Sequence, residues 1–132
     1  MSADQPTTGQ TPHSPRLPAR GVVIAAPEQV TVSGPLVLSG AFRFDRDVAD
    51  RIDPQLHRAL VVAATYPGGM RACNPFREHA LFPDDEERSD AARAGYFELD
   101  LRRWFDLREN DVWFLHASIA GELSNILKVR IG

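Results

Sequence analysis

The densest run of large apolar residues lies between Asp111 and Ile131. Four large apolar residues follow one another at 112–115, which predicts a β-strand buried on both faces and central in its sheet. Ala120–Glu122 then predicts a turn, whose glycine is free to adopt positive φ. Beyond it, apolar residues alternate with Lys128 and Arg130, which indicates a strand with one wet face near a sheet edge.

The same two patterns predict further strands upstream. Leu36–Phe44 alternates strictly, and Gly40 in its middle indicates a bulge or a close neighbour. Arg58–Tyr66 has two apolar faces, so we expect it to be central. Tyr96–Leu101 alternates again. The short apolar runs within 21–32 are interrupted by a proline, which predicts a first strand broken at that residue.

Two segments between these strands are rich in charge. Residues 45–55 predict a loop or one helical turn, ended before a proline. Met70–Ala94 is the least regular part of the chain, but Asp84 and Glu87 have the spacing of a capping box and a glycine follows. We therefore expect one short helix, of about two to three turns, within this long loop. The carboxylates of 84–90 lack the D-x-D-x-D-G order of a calcium loop, so capping accounts for them.

The first 20 residues contain four of the ten prolines and, apart from the initiating Met1, one large apolar residue, Leu17. Such a segment buries too little apolar surface to offset its ordering entropy. We expect a disordered arm over 1–20 and one β domain over 21–132. The arm ends at Pro15–Arg20 in a P-x-x-P-x-R spacing, which either docks as polyproline II in an aromatic groove or is a plain linker.

Together these patterns predict about seven strands that do not alternate with helices, which indicates an all-β, two-sheet antiparallel sandwich. In size and pattern, residues 21–131 resemble immunoglobulin-like domains. Trp113 would then lie on the penultimate strand, and Leu123–Asn125 would form a small polar turn, as in many bacterial members. The family's inter-sheet cysteine pair is absent, and Trp113 is not on the strand that carries the core tryptophan of antibody domains. The resemblance implies a fold and no activity.

Composition narrows the classes of partner. The 132-residue chain has a net charge of −3, so it has no broad basic field to attract nucleic acid or an anionic membrane. No stretch approaches the ~18 apolar residues of a membrane span, and the N-terminus lacks the apolar core of a signal peptide. Cys73 is the single cysteine, which excludes an intrachain disulfide. We therefore expect a cytoplasmic protein without nucleic-acid or membrane partners.

Residues that hold metals or act as bases are sparse. Cys73 and His79, six residues apart, are weak candidates for a copper or zinc site, with His57 and Met70 as further donors. The alternative is a small buried thiol and a surface histidine. His116 lies mid-strand with no recognisable nucleophile beside it, so a structural histidine is the simpler interpretation. No catalytic residue and no cofactor are assigned.

Aromatic residues beside arginines indicate a binding surface. Trp104 and Phe105 follow Arg103 just after a strand, where we expect at least one of the two aromatics to be partly exposed. Exposed aromatics anchor protein interfaces and also stack on sugars. The alternative is that Trp104 closes one end of the core. Phe76 and Arg77, in the long loop, form a second plausible contact surface.

We therefore expect a non-enzymatic binding module or accessory subunit. It would bind a protein partner, or a second copy of itself, through the 70–94 loop and the 102–107 corner. One alternative is a carbohydrate-binding or small-ligand module that uses the same aromatics. Another is a metal-binding protein that uses Cys73 and His79.

Overall fold

A computed structural model describes residues 16–52, 56–77 and 86–132. Within them the chain forms two β-sheets packed around one hydrophobic core. The elements in chain order are β1 (Gly21–Ala25), β2 (Gln29–Val30), β3 (Val37–Asp45), α1 (Arg46–Ile52), a 3-10 turn (Leu56–Ala59), β4 (Leu60–Tyr66), β5 (Gly69–Cys73), β6 (Glu86–Arg88), β7 (Ala92–Asp100), a second 3-10 turn (Leu101–Arg103), β8 (Val112–Ile119), β9 (Glu122–Leu123) and β10 (Leu127–Ile131).

The strands divide into sheet A, in the order β1-β3-β7-β6, and sheet B, in the order β2-β10-β8-β4-β5 with β9 also paired to β8. Sheet A is antiparallel throughout the described residues. Sheet B contains one parallel pair, β2 with β10, so it is mixed rather than purely antiparallel. The predicted mostly-β architecture of two packed sheets is confirmed, but the described residues form ten strands rather than about seven, because the first strand is divided and the segments 69–73, 86–88 and 122–123 add short strands.

The first strand is divided between the two sheets at Pro27. Before the proline, β1 pairs with β3 in sheet A. After it, β2 pairs with β10 in sheet B. Proline has no N–H to donate to a ladder, so a strand that changes sheets there loses no hydrogen bond at that residue. The predicted break of the first strand at a proline is confirmed.

The long strand β8 lies at the centre of sheet B, as its apolar run predicts, between β4 and β10. Its inward side chains have at most 1% of their surface exposed; they are Trp113, Leu115, Ala117 and Ile119. From sheet A, Phe42 and Phe44 of β3 join the same core cluster. Each fully buried side chain of this size contributes roughly 1.5–3 kcal/mol to folding, so β8 is a large part of what holds the two sheets together.

The segment 70–94 is more regular than the sequence predicts. Its first residues form β5, and 86–88 and 92–94 belong to strands, so the helix predicted after Asp84 is wrong; Asp84 itself lies outside the described residues. The α-helix of the described residues is α1, in the charged segment for which one turn or a loop was expected. Pairing of all nine residues of β7 with β3 outweighs the local capping signal.

Most of the predicted arm, residues 1–15, lies outside the described residues. Residues 16–20 have no regular structure; Leu17 and Pro18 are half-buried. Leu17 lies in a shallow depression on the outer side of sheet A, beside Arg43 and Ala94. Docking of the arm as polyproline II stays a prediction.

Candidate functional site

Sheet B leaves one of its sides uncovered by any described element. Side chains on β4, β5, β8 and β10 alternate, and those that do not face the core form a surface that we call the outer face. It consists of Val61, Ala63, Thr65, Met70, Ala72, Val112, Phe114, His116, Ser118, Lys128 and Arg130. Met70 is 68% exposed and Phe114 44% exposed. Leu123, opposite Ser118 on β9, extends this apolar surface.

The strand register arranges the outer face in rows. One row crosses four strands and consists of Met70, Thr65, Phe114 and Lys128. The next row consists of Ala72, Ala63 and His116. Opposed side chains in a sheet lie about 5 Å apart, so the large side chains form a ridge beside a shallow trough of alanines.

The charge of the outer face is basic, in a chain that is acidic as a whole. Lys128 and Arg130 are its charged residues, and none of its members carries a carboxylate. Neither cation forms an ion pair within the described residues. Glu28 lines a shallow groove of about 410 Å³ beside both cations, at the β2 edge of the sheet. The outer face therefore presents an apolar centre with a basic border.

A cleft of about 530 Å³ opens at the end of the sandwich where the β4–β5 turn meets the loop before β8. One arginine from β5, together with one arginine and two aspartates from the loop before β8, surrounds a pair of aromatic rings. The lining residues are Tyr66, Pro67, Gly68, Arg71, Asp106, Arg108, Asp111 and Trp113. Its volume lies in the range of small-molecule sites.

The 102–107 corner, predicted as a binding surface, lies partly in the core. Phe105 is 2% exposed, and its ring centroid is 5.8 Å from that of Trp113. Trp104 is half-buried, and the Arg103 guanidinium lies 5.8 Å from its ring centroid, which is the distance of a cation–π contact. Of the predicted aromatics, Trp104 therefore keeps part of its surface accessible and Phe105 does not.

The second predicted contact surface is also largely packed. Phe76 is half-buried and makes edge contacts with His57 and Phe97, at centroid distances of 5.6 and 6.3 Å. The Asn74 side-chain amide, in the orientation that satisfies its neighbours, donates to the carbonyl oxygens of Arg58 and Leu60 at 3.1 Å each. Arg77 is exposed and directly precedes the residues that the structure does not describe.

The candidate metal ligands are not brought together in the described residues, which contain no group of three or more His, Cys, Asp or Glu that suits a metal ion. His79 lies outside them. Burial raises the pKa of the Cys73 thiol to about 11, against a smaller lowering by a hydrogen bond with the Val62 backbone. The neutral thiol therefore dominates at physiological pH, whereas metals bind the thiolate. His57 is buried, with Nε2 3.0 Å from the Tyr96 carbonyl oxygen.

The sequence pattern does not reveal the outer face, because the apolar run 112–115 predicts a strand that is buried on both sides. The strand is central, but Phe114 is exposed because no described element covers the second side of sheet B. A signal was present: an antiparallel sandwich without covering helices leaves the outer side of each sheet in water. A continuous apolar run on such a strand indicates a surface patch.

Comparison with known proteins assigns the chain to no family: no protein-family model matches it, and no curated protein matches it either. Within the described residues, no helix has the length and apolar character that crossing a bilayer requires.

Proposed function

We propose that this chain is a non-enzymatic, immunoglobulin-like binding module that docks a protein partner on the outer face of sheet B. The strand orders support the immunoglobulin-like part of the proposal. Sheet A has the order A-B-E-D of one immunoglobulin sheet, and β10-β8-β4-β5 has the order G-F-C-C′ of the other. The division of the first strand between the sheets fits the same comparison.

The observation that carries the binding function is the exposure of Met70 and Phe114 in one row of the outer face. Methionine and aromatic residues are enriched in the cores of protein interfaces. The largest exposed apolar patch of a protein often marks a contact site. A protein surface that covers Phe114 would remove its ring from water, which gives the contact its driving force.

The border of the outer face specifies the partner's chemistry. Lys128 and Arg130 form a basic strip beside the apolar rows, so a partner with an apolar centre and acidic side chains along one border complements it. A second copy of this chain complements it less well, because its own outer face carries the same two cations and no carboxylate.

The dimensions of the outer face fit a small interface. Four strands about 4.8 Å apart, each contributing about six residues at roughly 3.3 Å, give a plane of about 400 Å². Specific complexes bury around 800 Å² of accessible surface on each partner, and relief adds to the planar value. The exposed Leu123, opposite Ser118, enlarges the surface towards that size.

Site-specific photo-crosslinking tests the proposal. A photoreactive phenylalanine analogue replaces Phe114 in one variant and Tyr96 in the other; Tyr96 is an exposed aromatic on sheet A, so it is a matched control. We expect a protein adduct, in cells that express the chain, from position 114 and not from position 96. Lys128→Glu combined with Arg130→Glu should lower its yield roughly tenfold.

Three outcomes contradict the proposal. Equal labelling from both positions indicates non-specific contact. Absence of any adduct at position 114 shows that the outer face is free. An adduct that contains only a second copy of the chain replaces the acidic partner with self-association.

A further inference from the structure

The cleft at the end of the sandwich carries an inference that does not depend on the outer face. It lies between two segments that are distant in sequence: the β4–β5 turn supplies Tyr66 to Gly68, and the loop before β8 supplies Asp106 and Arg108. Loops at the ends of a rigid sandwich are common positions for binding residues. The two segments approach each other because β4 and β8 are paired neighbours in sheet B.

The floor of the cleft consists of packed aromatic rings. Tyr66 and Trp113 stack with centroids 4.7 Å apart and planes inclined by 18°, and Phe105 supports the indole from the core. The Trp113 Nε1–H donates to Asp111 Oδ2 at 3.3 Å, which fixes this carboxylate at the side of the cleft. A ligand that enters therefore pays little for ordering the floor.

Two cationic side chains line this floor from different elements. Arg71 lies opposite Ala64, so the alternation of β5 turns it towards the core side of the sheet, where it remains exposed at the open edge. Arg108 comes from the loop before β8. Neither guanidinium forms an ion pair within the described residues, although two aspartates line the same cleft.

A simpler role explains part of this arrangement. An inward-pointing charge on an edge strand opposes edge-to-edge pairing with another sheet, and Arg71 on β5 has that position. This role needs neither Arg108 nor an aromatic floor, so it does not account for the rest of the cleft.

We propose that this cleft binds a small organic anion whose carboxylate or phosphate group is held by Arg71 and Arg108 beside the Tyr66–Trp113 pair. Guanidinium groups bind both kinds of oxyanion with paired, charge-assisted hydrogen bonds. Asp111 is engaged by the indole N–H, whereas Asp106 has no hydrogen-bond partner in the described residues and accepts a bond from a donor on the same ligand. The cleft selects a molecule with both an oxyanion and a donor group over a bare anion.

NMR titration of the whole chain tests this site. Inorganic phosphate and acetate are titrated separately at constant ionic strength, with sodium chloride as the control for salt. The reporters are the indole N–H of Trp113, assigned by comparison with Trp104→Phe, and the amides of Gly68 and Gly69. We expect saturable shifts in the millimolar range, and the anion with the lower half-saturation concentration identifies the preferred oxyanion.

Variants assign the effect to the two arginines. Arg71→Gln and Arg108→Gln should each raise the half-saturation concentration roughly tenfold, which corresponds to the loss of one charge-assisted contact. Arg58→Gln removes an exposed arginine outside the cleft and should leave it unchanged. Arg108→Lys keeps the charge but not the paired donors, and should give an intermediate value.

The proposal is overturned if neither anion gives a saturable shift, if sodium chloride gives the same shifts, or if Arg58→Gln weakens binding as much as the cleft variants. It is also overturned if Arg71→Gln changes only the state of association of the chain, because Arg71 then serves only to prevent pairing of β5 with another sheet. The dispersed methyl signals of each variant verify that it is folded.

Discussion

The side-chain amide of Asn125 pairs with the backbone of Ile24 as a neighbouring strand would. Its Oδ1 accepts from the Ile24 N–H at 2.8 Å, and its Nδ2 donates to the Ile24 carbonyl oxygen at 3.0 Å. The chain bulges at this point, and Ser124 completes the β8 ladder: its Oγ accepts from the Ala117 N–H at 2.8 Å. Asn125 thus joins the free side of β1, in sheet A, to the bulge in sheet B.

Loss of this amide should loosen the two sheets. Asn125→Ala leaves the N–H and carbonyl of Ile24 without their partner, and we expect the free energy of unfolding to fall by about 1–3 kcal/mol. Asn125→Asp keeps an acceptor for the N–H but places a second acceptor against the Ile24 carbonyl, so it should restore little of the loss. Urea unfolding measures both variants.

The control for this prediction is the next residue. Ile126 is 70% exposed, so Ile126→Ala should change stability by less than about 0.5 kcal/mol. If Asn125→Ala is as mild as this control, the amide contacts contribute nothing to stability and water replaces them.

The same bulge shows how far the sequence predicts the fold. Of the predicted turn 123–125, Ser124 and Asn125 do lie between the last two strands, because turn chemistry is local, whereas Leu123 belongs to β9. The hydrogen bonds between the Asn125 side chain and the Ile24 backbone cannot be predicted from the sequence, because the two residues are 101 positions apart in the chain. The prediction of a helix after Asp84 is wrong for the same reason. The local capping signals are outweighed by the pairing of β7 with β3, which only the tertiary fold determines.

The hairpin turn after β8 holds a residue under strain. Ala120 has φ of 50° and Gly121 has φ of 85°, and they are the two central residues between β8 and β9. Two successive positive φ values are typical of a type I′ turn, which favours Asn-Gly. Ala120→Asn should therefore raise the free energy of unfolding by about 0.5–1 kcal/mol.

A substitution with the opposite expected effect on stability gives a second test of the strain at Ala120. Ala120→Val places a β-branched residue in the left-handed region and should lower stability by about 1–2 kcal/mol. Thermal unfolding compares the two variants with the original chain. An asparagine variant that is less stable than the original would contradict the strain at Ala120.

Gly40 is a glycine because the Phe97 ring occupies the space beside it. A Cβ at this position would come within 2.0 Å of the Phe97 Cζ, and the two residues are direct partners in the β3–β7 pair. Gly40→Ala should lower stability by about 1–3 kcal/mol, because the buried ring must move out of a packed core. The sequence expectation of a bulge or a close neighbour at Gly40 is confirmed as the close neighbour.

A double-mutant cycle separates this clash from a loss of strand flexibility. Phe97→Leu removes the ring atoms that the new methyl group would meet, so Gly40→Ala should cost less in that background than in the original chain. Urea unfolding of all four proteins measures the coupling. Equal costs in both backgrounds would show that the ring is not the cause.

The candidate sites were partly predictable. Lys128 and Arg130 stand out in the alternation of the last strand, and both are exposed. The cleft could not be derived, because Arg71 and Trp113 come together only through the pairing of β5, β4 and β8. Phe105 was a predicted contact residue that lies in the core, because the chain turns through a 3-10 segment where the strand period ends.

The Cys73 thiol should be slow to react in the folded protein. Burial raises its pKa from 9 to about 11, so below pH 9 the thiolate fraction is about 100-fold lower than for a free cysteine. Alkylation by iodoacetamide at neutral pH should be slower by about that factor in the native protein than in the urea-unfolded chain, with mass spectrometry as the measurement. Equal rates in both states would contradict the raised pKa.

The same shift makes stability depend on pH. Since the folded state binds the thiol proton more tightly than the unfolded chain, its contribution to stability is complete below about pH 9 and is lost as the pH rises towards 11. Cys73→Ser removes the titrating group, so the variant should lose less stability than the original chain across this interval. Parallel pH profiles for the two proteins would show that the thiol is not responsible.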